Sequence, residues 1–384
     1  MLGIFIEMAY RCIYEATGFL TCEPTIENYS QPPLRPPLFQ PTLRPSIGPS
    51  IGPLGPSIGP TLRPSTRPSF RLVQQPRNVR IYFTNFWDTP ENMLHSQFGK
   101  WIVRAGEKYG LIIDLDPHNP QVVFLSCFGT YEIKKFPKAK KIFDPGENHS
   151  KRFDDWNSRV KGFDAIFGYV ESIKASHAVP ERQLEVPYWM FDFDFLDEKS
   201  SDYECLKTVP NISRVSRLAS MVASSDLYGL RKNLLDAFRE VSIDVDCPGA
   251  TGKNVPDIER GWPAKRDFIA KSLFNLCPEN SMGPSYTTEK LMGACLAGCI
   301  PVYWGYTGPL DRRIFNFSRI LKFDNENPAD VRRVASLCRN IVEHNDSASL
   351  YEMPAFLPTA EGAILEMRES ILDFLGSFLS GLGR

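Results

Sequence analysis

Polar side chains that can bind a charged ligand are concentrated in residues 272–305, between two apolar runs. Ser272–Pro278 and Ile300–Trp304 have the length and composition of buried strands. Thr287–Ala297 has helical periodicity and is followed by Gly298, a typical helix stop. In open α/β sheets, ligands bind where a strand leads into the next helix. The sequence therefore predicts a strand–loop–helix–strand unit with a binding site in its loop.

The start of the predicted helix has the chemistry of a phosphate site. The first N–H groups of a helix lack partners within the helix and carry a partial positive charge. Lys290 adds a full charge in the first turn, and Glu289 beside it can accept hydrogen bonds from ribose or sugar hydroxyls. We expect both side chains to contact a ligand that carries phosphate and hydroxyl groups. The alternative is that they are ordinary surface residues of a first helical turn.

Strand-like and helical segments alternate from about Asn78 to the end of the chain. Such alternation is typical of parallel sheets, and the simplest assembly is two doubly wound α/β sheets that face each other across a cleft. We expect residues 1–76 to form a leader and linker, 77–200 and 201–360 to form two Rossmann-like domains, and 361–384 to form a closing helix.

The hinge between the two domains is expected in the polar segment Phe195–Arg214. On either side of it, short apolar runs predict strands and longer amphipathic stretches predict helices. The further predicted strands are Val79–Thr84, Leu111–Leu115, Val122–Cys127, Lys141–Phe143, Asp164–Tyr169, Glu185–Trp189, Arg217–Ala223, Ser242–Val245 and Ile320–Phe323. The further predicted helices are Glu91–Tyr109, Tyr228–Val241, Ile258–Ser272, residues 327–344 and Thr359–Phe378.

The overall composition excludes several functional classes. The 384 residues carry a formal net charge of −1, with an isoelectric point near 6.6, so there is no global basic signal for nucleic acid. The nine cysteines form no C-x-x-C pair, so neither a zinc site nor a disulfide framework is predicted, and a reducing compartment fits best. No run of about 18 apolar residues occurs, so no transmembrane helix is expected.

The first 71 residues differ in composition from the rest of the chain. Met1–Cys22 is interrupted by acidic and basic residues and predicts a short amphipathic or disordered leader rather than a secretory signal. Pro32–Arg71 has proline every three or four residues, which blocks helices and strand pairing and predicts an extended, disordered segment. It is interpreted as a tether, and the alternative is that its arginines dock on an acidic or aromatic partner.

Three segments together resemble a known family. E-N-S…Y-T-T-E-K followed by A-G-C-I-P-V-Y-W-G, within residues 279–305, resembles the signature of the family 10 glycosyltransferases, the α-1,3/1,4-fucosyltransferases. V-A-S-S-D-L-Y-G-L-R-K-N-L-L-D-A-F at Val222–Phe238 and K-K-I-F-D-P-G-E-N at Lys140–Asn148 resemble two further family segments. The resemblance implies the GT-B fold, an acceptor domain followed by a nucleotide-sugar domain, and inverting transfer from GDP-β-L-fucose.

The resemblance also implies a set of donor-binding residues. The family's donor-binding arginine matches Arg231. Arg231 and Lys290 would neutralise the diphosphate, whose negative charge grows in the transition state, so that no metal cofactor is required. Asn280 and Glu289 would hold hydroxyls of fucose or ribose, and Tyr286 would flank the nucleotide.

The family's proposed catalytic base matches Glu147. It would take the proton of an acceptor hydroxyl that attacks the anomeric carbon opposite the diphosphate, an effect typically on the order of 10²–10⁴-fold. The expected acceptor is a glycan, fucosylated at O3 or O4 of an N-acetylglucosamine or glucose unit. The family's Tyr-Thr before Gly-Glu is replaced here by Asp144-Pro145, which places a second carboxylate near the base and is expected to alter the base or the choice of acceptor.

Three alternatives remain open at the level of sequence. The triplets Asp114-Leu115-Asp116, Asp192-Phe193-Asp194 and Asp244-Val245-Asp246 resemble the carboxylate pairs that hold Mn²⁺ or Mg²⁺ in the other large transferase fold, although such triplets are frequent by chance. The donor can also be a different nucleotide sugar. The third alternative is a non-catalytic scaffold that binds glycans and recruits a partner through the proline-rich segment.

One local feature bears on the compartment. Asn148-His149-Ser150 is a glycosylation sequon next to the candidate base, and a glycan there would obstruct the cleft. Since no membrane anchor is predicted either, we expect a cytoplasmic location rather than the lumen of the secretory pathway.

Overall fold

The computed structural model of the chain describes residues 76–128, 134–147, 162–174, 180–226, 228–344 and 346–382. The predicted leader, the proline-rich segment and the sequon at Asn148 lie outside these residues. The strands are β1 Arg77–Thr84, β2 Leu111–Leu115, β3 Val122–Leu125, β4 Lys140–Phe143, β5 Ala165–Gly168, β6 Gln183–Glu185, β7 Arg217–Ser220, β8 Val245–Asp246, β9 Ser272–Leu276, β10 Ile300–Tyr303 and β11 Leu321–Lys322. The α-helices are α1 Pro90–His95, α2 Gln97–Lys108, α3 Val170–Lys174, α4 Ser201–Cys205, α5 Leu230–Glu240, α6 Trp262–Ile269, α7 Glu289–Ala297, α8 Asp311–Ile314, α9 Pro328–Glu343, α10 Ser347–Tyr351 and α11 Ala360–Ser380.

The described strands form two sheets in which every pairing is parallel. The first sheet has the order β2-β1-β3-β4-β5-β6 and the second has the order β11-β10-β9-β7-β8. We call the first sheet with its helices the first lobe, and the second sheet with its helices the second lobe. Because neighbouring strands are parallel, their carboxyl ends share one edge of each sheet, where loops can converge. The predicted pair of doubly wound sheets is confirmed.

The predicted helix Glu91–Tyr109 is divided in two. Ser96 ends α1 and begins α2, because its hydroxyl accepts a hydrogen bond from the backbone N–H of Gly99 at 3.2 Å. Gly99 is required there, since a Cβ on it would lie 2.1 Å from the carbonyl oxygen of Leu94. The capping serine and the close approach of the two turns explain the break.

Three other predicted elements are shifted by local backbone constraints. The predicted strand Glu185–Trp189 ends at Glu185, because Pro187 lacks an N–H and leads into a 3₁₀ turn at Tyr188–Phe191. The predicted strand Ser242–Val245 starts only at Val245, since Ser242 has φ 58°. The predicted helix Ile258–Ser272 is reduced to Trp262–Ile269, with proline in its first turn.

Part of the expected hinge Phe195–Arg214 is buried. Phe195 is fully buried against Trp189 at a ring distance of 5.8 Å. Asp202 accepts hydrogen bonds from the indole N–H of Trp262 at 2.8 Å and from the backbone N–H of Asp194 at 3.0 Å. The segment is therefore anchored by Phe195 and Asp202, although many of its other side chains are exposed.

Helix α11 packs on the first lobe, although it follows the second lobe in sequence. Gly376 of α11 approaches Tyr109 so closely that a Cβ there would lie 2.3 Å from the ring. The hydroxyl of Tyr109 donates to Asp373 at 3.0 Å, and Lys108 bridges Glu369 at 2.8 Å. The chain therefore returns to the first lobe at its last described helix.

Candidate functional site

The candidate site lies at the carboxyl edge of the second sheet, in the segments that follow β7 and β9. Two backbone hydrogen bonds hold the loop after β9: the N–H of Cys277 to Val302 at 3.0 Å and the N–H of Glu279 to Trp304 at 2.8 Å. The adjacent strands thus extend their pairing into the loop, and this fixes the direction in which Glu279 points.

Glu279 is the centre of this loop, and sequence analysis did not single it out. Its side chain is 2% exposed. The carboxylate accepts from the N–H of Thr288 at 2.8 Å and from the hydroxyl of Thr288 at 2.6 Å, and it pairs with Lys290 at 3.2 Å. The expected open N–H at residues 287–288 is therefore occupied by Glu279, and the helix itself begins at Glu289. Only the position of Glu279 directly after a predicted strand marked it in the sequence.

Lys290 is held as a cation inside the site. Its ammonium group donates to the hydroxyl of Thr288 at 2.8 Å and lies 3.5 Å from Glu289, and its side chain is 16% exposed. Burial alone would lower the pKa of Lys290, but the carboxylates of Glu279 and Glu289 outweigh burial and raise the pKa above its ordinary value. The side chain consequently presents a fixed positive charge at neutral pH.

Glu289 carries a fixed negative charge in the same place. Burial opposes ionisation, but Lys290 and Lys265 outweigh it and lower the pKa of the Glu289 carboxyl to about 2. Lys265 lies 3.6 Å from this carboxylate and comes from helix α6. Lys265 is a second residue that sequence analysis missed, because its approach to α7 depends on the packing of two helices.

Arg231 is positioned at the start of helix α5. Gly229 before the helix has φ 69°, and Asp226 accepts hydrogen bonds from the N–H groups of Arg231 at 3.0 Å and Lys232 at 2.8 Å. The guanidinium group donates to the side-chain oxygen of Asn280 at 2.6 Å. Burial lowers the pKa of Arg231, and nearby carboxylates oppose that effect. Arg231 and Asn280, both predicted from sequence, therefore meet in the structure.

Two adjoining recesses share Arg231 as a common wall. The first encloses about 330 Å³ including its open mouth, and its lining includes Lys265, Lys290 and Cys277 besides Arg231. The second spans about 300 Å³ including its open mouth and is lined by Ser225, Asp226, Tyr228, Leu230, Arg231, Glu279 and Asn280. Three cationic side chains thus face one recess, which suits a ligand with a polyanionic group.

Glu147 reaches this region from the first lobe. It follows β4, and its carboxylate accepts a hydrogen bond from the hydroxyl of Tyr286 at 2.9 Å. Tyr286 is 1% exposed and packs on Tyr169 of the first lobe at a ring distance of 5.0 Å. Tyr286, expected to flank the nucleotide, thus contacts the candidate base and brings Glu147 into the same region as the donor-site residues.

Asp144, expected as a second carboxylate beside the base, points into the protein. It is 1% exposed, and within the described part of the chain neither of its carboxyl oxygens has a hydrogen-bond partner. Burial, and then the nearby Asp192, raise the pKa of Asp144 well above the usual range. Burial thus disfavours the charged form of Asp144, and its side chain is directed away from solvent.

The aspartate triplets have other contacts. Asp116 accepts from the N–H groups of His118 and Asn119 at 2.9 and 3.0 Å, and Asp246 pairs with Arg217 at 3.1 Å. Among the described residues, no group of three or more histidine, cysteine, aspartate or glutamate side chains is arranged to hold a metal ion. In the same part of the chain, no helix has the length and apolar character of a membrane span.

Comparison with known proteins finds similarity to one family of glycosyltransferases. Residues 212–343 match the model of the glycosyltransferase family 10 (fucosyltransferase) C-terminal domain. An α-(1,3)-fucosyltransferase, FucT, from Helicobacter pylori is 25% identical over 258 residues, which cover 60% of this chain and 51% of that protein. The chain thus spans about half the length of this curated relative.

Solved structures of an α1,3-fucosyltransferase have the same fold. One is 21% identical with a TM-score of 0.55, and another, described as being with GDP-fucose, is 20% identical with a TM-score of 0.51. Each match covers 78% of this chain and 92% of the other. The GT-B fold expected from the sequence is confirmed.

Proposed function

We propose that this protein transfers L-fucose from GDP-β-L-fucose to a hydroxyl of a glycan, with inversion at the anomeric carbon. The match of residues 212–343 to the glycosyltransferase family 10 model supports this proposal. The observation that carries the proposal is the meeting of three cationic side chains in one recess with a carboxylate from the opposite lobe nearby. The names of the relatives, an α-(1,3)-fucosyltransferase and a structure with GDP-fucose, support this choice of donor.

The diphosphate of the donor would lie in the recess lined by Arg231, Lys265 and Lys290. As the bond to fucose breaks, negative charge accumulates on the departing diphosphate, and cations already fixed in place stabilise that charge without reorganising. Glu279 and Glu289 keep Lys290 charged and in position. With three such cations, the reaction would not require a metal ion.

Asn280 and Glu289 would orient the sugar part of the donor. The side-chain oxygen of Asn280 is held by Arg231 at 2.6 Å, which leaves its amide N–H groups to donate to a hydroxyl. Glu289 is an ionised acceptor and would bind hydroxyls of fucose or ribose. Both residues therefore complement a ligand with many hydroxyl groups next to its phosphates.

Glu147 would act as the general base. Tyr286 donates its only hydroxyl proton to Glu147 and so orients the carboxylate, which has further lone pairs for an incoming hydroxyl. Attack from the side of the first lobe, opposite the diphosphate in the second lobe, gives inversion. The acceptor position would be O3 or O4 of an N-acetylglucosamine or glucose unit.

The direct test is incubation of the purified protein with GDP-fucose and a library of glycans, followed by mass spectrometry of the products. We expect a mass increase of one fucose on a subset of glycans, GDP release, and full activity in the presence of a metal chelator. Parallel reactions with GDP-mannose and UDP-sugars identify a different donor. No transfer from GDP-fucose by folded protein would refute the proposal.

The compartment requires a separate test. We propose a cytoplasmic location, because a glycan on Asn148 would lie next to Glu147 in sequence and block access to it. Mass spectrometry of the peptide that contains Asn148, from the natural source, should show an unmodified asparagine. A glycan on Asn148 in active enzyme would contradict this location.

A further inference from the structure

Trp87 is an exposed aromatic side chain at the edge of the first lobe that also carries Glu147. Its side chain is 50% exposed, which is unusual for a large aromatic residue. It follows β1, whose last residue Thr84 is paired with Leu125 of β3. Since β3 is in turn paired with β4, the loops after β1 and β4 emerge at the same edge of the sheet.

The indole ring is fixed although it is exposed. It makes edge-to-face contacts with Phe86 at 5.6 Å, Phe128 at 5.8 Å and Tyr188 at 5.9 Å between ring centroids. The segment that carries it is held at both ends, by β1 and by the capped start of α1, where Thr89 accepts from Asn92. A ring held in this way can bind a ligand without a large loss of side-chain entropy.

The ring also lies beside the candidate base. A Cβ placed on Gly146 would stand only 3.2 Å from Cζ3 of Trp87 and 3.1 Å from the hydroxyl of Ser126. Glycine at position 146 therefore allows the indole to pack directly against the backbone that leads to Glu147. The exposed ring of Trp87 thus lies beside Gly146, the residue directly before Glu147.

We infer that Trp87 is the platform on which a sugar ring of the acceptor packs while its hydroxyl is presented to Glu147. A pyranose with equatorial hydroxyls has aliphatic C–H groups on its faces, which match an aromatic surface, and hydroxyls at its rim, which match a carboxylate beside that surface. The occupant is thus a carbohydrate rather than a protein side chain. This inference rests on the proposed function, since it assigns the acceptor side of the same site.

The test uses the full chain and the variants Trp87→Ala and Trp87→Leu, of which the leucine variant keeps apolar contacts but has no ring face. We expect the acceptor KM to rise roughly tenfold or more, as for truncation of a buried anchor in an interface. The Kd for GDP-fucose, measured by calorimetry, should stay near wild type, because the donor recess lies in the second lobe. Trp87→Phe should restore much of the acceptor affinity.

The matched control is Ile112→Ala, which removes a similarly exposed apolar side chain from β2 and should leave the acceptor KM and the donor Kd unchanged. An acceptor KM close to wild type in folded Trp87→Leu would overturn the inference, as would an equal loss of GDP binding. If wild-type protein transfers no fucose, glycan binding measured by saturation-transfer NMR still tests whether Trp87 binds a sugar ring. If wild-type protein binds the glycan and Trp87→Leu does not, the result supports the inference. If wild-type protein binds no glycan, the inference is refuted.

Discussion

The hydroxyl of Tyr286 in the second lobe donates a hydrogen bond of 2.9 Å to the carboxylate of Glu147 in the first lobe. Hydrogen bonds to charged groups contribute about 1.5–3 kcal/mol. Here the bond sets the direction of the proposed base relative to the donor recess. The geometry of the site thus depends on a contact between segments 139 residues apart in sequence.

Replacing Tyr286 by phenylalanine should disturb this alignment without disturbing the donor recess. We expect kcat to fall roughly tenfold, because the bond to a charged group is lost, while the Kd for GDP changes little. The control is Tyr109→Phe, which removes a tyrosine–carboxylate bond of 3.0 Å between the residue after helix α2 and Asp373 of helix α11. Equal kcat values for wild type and Tyr286→Phe would mean that the contact has no catalytic role.

Replacing Glu147 by glutamine should remove the base and keep the shape of the site. Transfer should fall on the order of 10²–10⁴-fold, and GDP-fucose should still bind with near wild-type affinity by calorimetry. Glu91→Gln, which alters an exposed glutamate on α1, serves as the control and should retain full activity. Undiminished turnover in Glu147→Gln would remove this residue from the mechanism.

Lys265 should contribute to binding the diphosphate. Unlike Lys290, its neighbour in the recess, it does not belong to the sequence motif that indicated the site. We expect Lys265→Gln to lower kcat/KM for GDP-fucose roughly tenfold, since a fixed cation is lost from the departing group. Lys271→Gln is the matched control, because Lys271 is exposed just before β9. Identical donor kinetics in the two variants would show that Lys265 only pairs with Glu289.

Asp192 should give the protein a distinctive pH dependence of stability. Burial and repulsion from Glu289 raise the pKa of the Asp192 carboxyl to about 8, against the attraction of Lys265 and Lys290, whereas an unfolded aspartate titrates near 3.9. The folded protein therefore keeps a proton that the unfolded chain releases. The resulting contribution to the free energy of unfolding is complete below about pH 4 and is lost as the pH rises through 8.

The side chain introduced in Asp192→Asn is uncharged at every pH, so this variant should not lose stability for this reason as the pH rises. Its free energy of unfolding, from urea titrations, should improve relative to wild type between pH 4.5 and pH 9. Asp194→Asn, in the same triplet, should keep the wild-type slope. A constant difference between wild type and Asp192→Asn across this range would disprove the assignment.

The packing of helix α11 on α2 should be sensitive to one methyl group. Gly376→Ala would place a Cβ 2.3 Å from the ring of Tyr109, and such overpacking typically costs about 1–3 kcal/mol. Gly362→Ala, in the same helix, meets nothing within 4 Å and should be neutral or stabilise by up to about 1 kcal/mol. Thermal unfolding of both variants checks this, and a stable Gly376→Ala would contradict the close packing.

Local sequence signals were sufficient for the central unit of the second lobe. The apolar runs of β9 and β10 and the glycine after α7, which has φ 81°, are signals carried by adjacent residues. Because these elements are adjacent in sequence, the prediction also placed Asn280, Glu289 and Lys290 near one another. Arg231 was reached only through the family resemblance, and the structure joins it to Asn280.

Features that depend on contacts between distant segments were not predictable. Glu279 looks like a loop residue and becomes buried only because the loop pairs with the end of β10. The contact of Tyr286 with the first lobe is of the same kind, since Ser285 before it has φ 62° and the ring packs on Tyr169 of a distant segment. The inward direction of Asp144 likewise depends on how Pro145 and Gly168 pack around it.

The return of α11 to the first lobe has a consequence for biosynthesis. During translation, β1 to β6 leave the ribosome long before residues 360–380, so the surface of α2 around Tyr109 stays uncovered until α11 has been made. An amino-terminal half that cannot complete its fold on its own exposes apolar surface in the meantime. The growing chain is therefore expected to need chaperone protection until α11 has left the ribosome.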